Sequence, residues 1–391
     1  TVQFTESEQI SINYFLDNMH LNRAYTPDKP GSVEAIAQLE EMKSKYWAYR
    51  QGWRGYPEEA IKRGLHDRFY TEMRQPPQSI DVETSALCDL ACPHCFRQYI
   101  ATPDKLITRE LFSEVIDQAV SLGIPSLKLN WRGEPLMHPQ LAELISYAKV
   151  QGMLETVINT NAVTLDETKA RDLIDAGLDM MIYSFDGGTA DTYNTMRVGR
   201  FKENEFENVY QNIARFNAIR EEMRSPFPRT RIQMVLTPET AGEVDEFRER
   251  FSPIVDDVLI KAYEERGWNL ELFKGPKKRM LQSKLAQKFN RNVTHIPHTM
   301  VWERSEGEYL ISTGRLPCQQ LYQRLMVGYD GSVFMCCNDW GGEHPIGFVS
   351  EDGYTNGIRD YSLAFERAQK NKKGFELLSN IQMPIRSNHP E

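Results

Sequence analysis

Between residues 79 and 262, short apolar runs alternate with longer stretches whose apolar positions recur every three or four residues. The short runs predict strands at 79–84, 126–130, 155–159, 180–184, 231–235 and 257–262. The longer stretches predict amphipathic helices at about 108–122, 138–151, 166–176, 204–224 and 240–251. Alternation of this kind implies parallel strands joined by crossover helices. Closed or partly closed, such a sheet is a barrel whose functional residues gather at the C-terminal ends of its strands.

The flanks have other textures. Residues 1–77 read as helical, with Ser32 as N-cap of an amphipathic stretch through Tyr46 and a second short helix at 58–61, after Pro57. The segment is rich in aromatics, among them Trp47, Tyr49, Trp53 and Tyr56, and is either a cap packed on the barrel or a lid over a substrate. Gln75-Pro76-Pro77 breaks the pattern and marks a boundary. The barrel then occupies residues 78–265, and residues 266–391 read as a separate, small α+β unit. In that unit Asp330-Gly331, between two alternating runs, predicts a hairpin that brings Cys336 back towards Cys318.

A chain of 391 residues is too long for one core. With 40% hydrophobic and 26% charged residues it has an ordinary globular composition. A net charge of −9 without a basic domain argues against a broad nucleic-acid surface, and Lys277-Lys278-Arg279 reads as a solvated turn. No run of about 18 uncharged apolar residues predicts a membrane helix, and the first residues lack a basic-then-apolar signal, so a cytoplasmic location is expected. The six cysteines fall into two groups, which in that compartment favours metal over disulfides. The oligomeric state leaves no mark on the sequence.

Cys88, Cys92 and Cys95 share one loop after the first strand, three and two residues apart. They are too close to be disulfide partners and well placed for one inorganic centre. Four thiolates normally hold a 4Fe–4S cluster; three leave one iron with an open coordination site, which a metal centre needs to bind and activate a ligand. A small zinc site, or simply reduced thiols, is the alternative. This spacing after such a strand resembles the radical S-adenosylmethionine (SAM) superfamily. With the α/β alternation, the helical N-terminal cap and the small C-terminal unit read above, the resemblance implies a partial (β/α)6 TIM-like barrel of six strands. It further implies a 4Fe–4S cluster whose open iron chelates SAM, reductive cleavage of SAM to a 5′-deoxyadenosyl radical, and a reductant such as flavodoxin or ferredoxin. His94 stands where the family usually has an aromatic residue.

The other strand ends extend the resemblance. Trp131-Arg132-Gly133-Glu134-Pro135 is similar to the family's Gly-Gly-Glu-Pro, which implies that Glu134 meets the SAM ammonium group. Gly133 allows close backbone approach, and Arg132 replaces the first glycine. Asn159-Thr160-Asn161 is similar to Thr-Asn-Gly, with Ala162 in the usual glycine place and Asn159 a candidate SAM contact. Ser184-Phe185-Asp186-Gly187 resembles the Ser-x-Asp-Gly that meets the ribose and carboxylate, and Arg197 matches an arginine near the carboxylate. A capped turn and a surface salt bridge are the plainer readings of these two. Lys261 and Tyr263 end the sixth strand and are candidate acids, bases or substrate anchors.

The second group is Cys318, Cys336 and Cys337. Cysteine, twelve residues, glycine, four residues, cysteine resembles the opening of SPASM and twitch extensions, which hold auxiliary clusters. A full SPASM domain carries seven cysteines and a twitch domain four, against three here, and adjacent strand residues point to opposite faces. Arg386 and His389 stand where relatives have their last two cysteines. The reading adopted is one auxiliary 4Fe–4S cluster on Cys318, Cys336, Cys337 and His389, with His344 a second candidate; a decayed site without a cluster is the other. The expected function is a radical SAM enzyme that abstracts hydrogen from a small polar molecule, such as a carbohydrate or aminocyclitol, since the N-terminus shows no winged-helix pattern for a peptide leader. A SPASM-type maturase of peptide or protein side chains is the alternative. A cluster carrier or zinc-binding module is the alternative of another class, and it would need none of the strand-end residues.

Overall fold

The structure, a computed structural model, describes Tyr25 and residues 32–63, 76–100, 102–237, 239–262, 301–305, 308–311, 323–334, 337, 339–342 and 345–349. Its centre is the alternation read from the sequence. Strands β1 (Ser79–Val82), β2 (Ser126–Lys128), β3 (Glu155–Thr160), β4 (Met180–Ser184), β5 (Arg229–Leu236) and β6 (Asp257–Ala262) lie side by side in chain order, all parallel. The crossovers carry α2 (Arg109–Ser121), α3 (Leu141–Gln151), α4 (Glu167–Asp175), α5 (Ala190–Met196), α6 (Phe206–Glu222) and α7 (Val244–Phe251).

Local chemistry sets these bounds. Thr108 caps α2 by accepting from the Leu111 N–H at 3.2 Å, and Asp166 caps α4 through the Lys169 N–H at 2.8 Å. Gly152, at φ +105°, ends α3 in the left-handed conformation that glycine adopts without strain. Phe112, Val115, Ile116 and Ala119 form one buried stripe of α2, packed with Ile80, Val82, Leu127 and Ile158 of the sheet. Helix α5 was not expected, and α7 begins four residues later than its pattern suggested, after a 3-10 turn at Ala241–Glu243.

The N-terminal helix corrects one expectation. Instead of a second helix opening after Pro57, a single helix α1 (Val33–Arg63) runs through that residue. Proline has no N–H to give to the carbonyl four residues back, which is that of Trp53. The buried side chain of Gln323 donates to this carbonyl at 2.8 Å and replaces the lost bond. Ser32 is the expected cap, accepting from the Ala35 N–H at 3.1 Å. Leu39, Met42, Tyr46, Tyr49 and Trp53 form the buried stripe. Tyr49 and Tyr25 donate to Glu155, the first residue of β3, and Ser126, the first of β2, donates to the same carboxylate. Helix α1 thus packs at the N-terminal ends of the strands, opposite the cysteine loop, and caps the barrel rather than covering its mouth.

The C-terminal strands join the same sheet. Beyond a separate hairpin of β7 (Val301–Ser305) and β8 (Glu308–Ile311), β9 (Arg324–Val327) lies parallel on the outer edge of β1, with Ser79 opposite Arg324 and Val82 opposite Val327. The Asp330-Gly331 turn returns the chain antiparallel as β10 (Ser332–Phe334), and β11 (Gly347–Phe348) completes a nine-stranded sheet. Gly331 takes φ +85° in that turn. So part of the segment read as a separate unit is continuous with the barrel.

Candidate active site

The cysteine loop leaves β1 and is tied down on three sides. At its root the Ala86 carbonyl accepts from Arg97 Nε at 3.1 Å and Nη2 at 3.0 Å, while Arg97 also meets Asp104 at 2.8 Å. Leu87 accepts from the Glu134 N–H at 2.8 Å. A methyl group at Gly133 would stand 2.1 Å from the Ser85 oxygen and 2.6 Å from that of Leu87, so the glycine lets the β2 loop press against the chain that leads into Cys88. On the outer side Leu90 bridges Gly199, the Ala91 N–H donates to Val198 and the Arg200 N–H to Asp89. Cys92 is buried, and Cys88 and Cys95 are half-buried.

Three other strand ends converge on this loop. Asp186, two residues past β4, is wholly buried; its Oδ2 lies 2.6 Å from Arg197 Nη2 and 3.2 Å from His94 Nε2, and its Oδ1 accepts from the Val235 N–H at 2.8 Å. Arg197 Nη1 in turn donates to Cys92 Sγ at 3.9 Å. Burial alone would raise the Asp186 carboxyl, but Arg197 and then His94 bring it well below the usual carboxylate range. Burial pulls the Arg197 guanidinium down, and Asp186 and Cys92 more than restore it. The Cys92 thiol is pushed up to about 12 by burial, with Arg197 opposing. Cys88 is raised by burial and then by Glu134.

Glu134 caps the short turn Pro135–Met137 and brackets β3: it accepts from the Leu136 N–H at 3.0 Å, Thr160 Oγ1 at 2.6 Å and the Asn161 N–H at 2.7 Å. Burial and then Asp89 push its carboxyl up to about 8 against those donors. Asn161 Nδ2 donates to Asp89 Oδ1 at 2.6 Å, which joins the third strand end to the residue after Cys88. Asn159 is held through its N–H by Asn130 Oδ1 at 3.0 Å, and Ser184 accepts from Gln233 Nε2 at 3.1 Å. Sequence reasoning did not single out Asp89 or Glu243. Glu243 accepts from the Gly188 N–H at 2.7 Å and the Thr189 N–H at 3.1 Å, fixing the turn from Asp186 into α5, and so towards Arg197. An acidic residue before an amphipathic helix carries no sign of a partner on another loop.

Lys261 is half-buried in β6, opposite Val235. Cys337 is half-buried near the mouth. Tyr263, Cys318, Cys336, His344, Arg386 and His389 lie outside the described residues.

The donor chemistry suits a cluster, since Cys88, Cys92 and Cys95 offer three thiolates from one loop, the ligand type that holds iron–sulfur clusters. Among the described residues no three His, Cys, Asp or Glu side chains gather as a single metal ion needs. Around the thiols, Asp89 Oδ2, His94 Nδ1, Asn159 Oδ1 and Arg197 Nε are buried without a partner among the described residues. Each such group costs about 1–3 kcal/mol unless something meets it. A polar ligand seated here, with both donors and acceptors, meets that need.

With this geometry the comparisons agree. Residues 82–251 match the model of the radical SAM superfamily. Members of this superfamily are enzymes that use a 4Fe–4S cluster and SAM. The chain is similar to the GTP 3',8-cyclase of Parasynechococcus marenigrum, 35% identical over 29% of this chain and 35% of that protein. It is likewise similar to the PqqA peptide cyclase of Rhizobium meliloti, 34% identical over 32% of this chain and 33% of that protein. The chain thus spans about a third of the length of these curated relatives. In fold it is similar to Streptococcus suis SuiB bound to S-adenosylmethionine, with TM-score 0.52 at 15% identity, over 90% of this chain and 76% of that one.

Proposed function

We propose that the chain is a radical SAM enzyme that abstracts hydrogen from a peptide or protein side chain. The observation that carries the SAM reading is the Cys92–Arg197–Asp186–His94 array around the wholly buried Asp186, assembled from the cysteine loop and the β4 end. Cys88, Cys92 and Cys95 would hold a 4Fe–4S cluster that supplies the electron for reductive cleavage of SAM to a 5′-deoxyadenosyl radical. Gly133, Glu134, Asn159, Ser184, Asp186 and Arg197 would seat SAM. Asn159 Oδ1 offers an acceptor and Arg197 Nε a donor. Once ionised, Glu134 has three donors on four lone-pair sites, leaving one for an ammonium group whose charge would favour that ionised form. The barrel mouth orients the substrate and excludes water.

The peptide reading is supported by the likeness to PqqA peptide cyclase and by the SuiB-like fold, which extends beyond the radical SAM domain and is also found bound to precursor peptide SuiA, at TM-score 0.51. A small polar substrate has the support of the GTP 3',8-cyclase likeness, which, like that to PqqA peptide cyclase, is confined to about a third of the chain. A SPASM-like auxiliary cluster on Cys318, Cys336, Cys337 and His389, a flavodoxin or ferredoxin reductant, a cytoplasmic location and roles for Lys261 and Tyr263 belong to the same proposal. Among the described residues no helix is long and apolar enough to cross a membrane.

The test is anaerobic incubation of the reconstituted protein with SAM and dithionite, with and without short peptides encoded beside its gene. Release of 5′-deoxyadenosine, and a peptide product of altered mass, are expected. If no 5′-deoxyadenosine forms, the SAM reading fails; if it forms while no peptide changes and a nucleotide or sugar does, the substrate reading fails.

A further inference from the structure

In place of the first glycine of the resembled Gly-Gly-Glu-Pro segment, this chain has Arg132, and its surroundings account for the exchange. The side chain is buried against Glu83, with Nε and Nη2 each 2.7 Å from one carboxylate oxygen, and Nη1 donates to the Trp340 carbonyl at 2.9 Å. The guanidinium lies 4.4 Å over the Trp131 ring. Trp131 Nε1 and Trp340 Nε1 both donate to the Cys337 carbonyl, at 3.2 and 3.1 Å, filling its two lone pairs. The network therefore closes on itself. Glu83 follows β1 immediately before the cysteine loop, and Cys95 and Cys337 pack on the same group of aromatic rings.

We propose that Arg132 is a positioning residue that fixes the Cys337 segment beside the cysteine loop, so that Cys337 and the loop carrying Cys95 cannot move independently. Three donors in one plane are needed, two for Glu83 and one for Trp340, and lysine cannot present them. Glu83 is itself tied to the C-terminal hairpin, since its N–H donates to Val327 of β9 and its carboxylate accepts from the Tyr329 N–H at 3.4 Å. The inference stands on packing and goes beyond the SAM chemistry; it can hold or fail whatever the reaction is.

The experiment is hydrogen exchange by mass spectrometry on the full chain, for wild type, Arg132→Lys and Trp131→Phe. Trp131→Phe keeps an aromatic platform and removes one N–H, and it decides the matter if Arg132→Lys does not fold. Loss of a hydrogen bond from a charged group predicts about tenfold faster exchange of amides in 328–342 for Arg132→Lys, and a smaller acceleration for Trp131→Phe. Amides of β3 and β4 should keep their wild-type rates, and the near-ultraviolet circular dichroism of the indoles should weaken. Unchanged exchange in 328–342, or equal acceleration throughout β3 and β4, would overturn the proposal.

Discussion

Asp186 and Glu134 are both buried carboxyls, and their surroundings drive them in opposite directions. Asp186 has a guanidinium and an imidazole beside it and is held low, whereas Glu134 has neutral donors and another carboxylate, Asp89, nearby and is pushed up to about 8. The sign of the second shift gives a prediction. Between the ordinary value of 4.5 and about 8 the native chain keeps a proton on Glu134 that the unfolded chain has lost. Stability from this group is complete below that window and disappears as the pH rises through it, at up to about 1.4 kcal/mol per pH unit. Urea midpoints of the cluster-free protein should therefore fall from pH 5 to pH 8, and Glu134→Gln should flatten that fall; an unchanged slope would contradict the assignment. Asp186 and Arg197 were legible in the sequence because each sits in a recognisable segment. Their pairing with His94 was not, because the contact joins two strand ends.

At the scale of elements, the period of apolar residues located the six parallel strands and most of their helices, and misled where chemistry between elements decides. Helix α5, Ala-Asp-Thr-Tyr-Asn-Thr-Met, has too short an apolar stripe to register; Thr189 caps it, and Glu243 anchors its first turn from another loop. Pro57 read as a helix start because it removes a backbone donor, and no local signal announced that Gln323 would replace it. This pairing is testable by a double-mutant cycle. Gln323→Leu alone leaves the Trp53 carbonyl buried and unmet by that side chain, at a cost of about 1–3 kcal/mol. In a Pro57→Ala background, alanine supplies the missing N–H and the same change should cost distinctly less. Strictly additive unfolding energies would show that Gln323 does not compensate for the proline.

For the whole molecule, the sheet does not stop where the barrel's alternation does. β9 lies in register along β1, so the strand that delivers the cysteine loop also carries the C-terminal hairpin, and the two regions share one core. The hairpin was legible from Asp330-Gly331; its parallel docking was not, because a short apolar strand carries no mark of the edge that it will join. The central claim about the molecule is that three thiols on one loop hold a cluster with a vacant iron, facing residues that seat SAM. Electron paramagnetic resonance of the anaerobically reconstituted, dithionite-reduced protein, recorded before and after addition of SAM, tests that claim most directly. A reduced 4Fe–4S signal that changes when SAM is added, and that is lost in a variant with Cys88, Cys92 and Cys95 all replaced by alanine, is the predicted result. A signal indifferent to SAM, or one that survives unaltered in that variant, would contradict it.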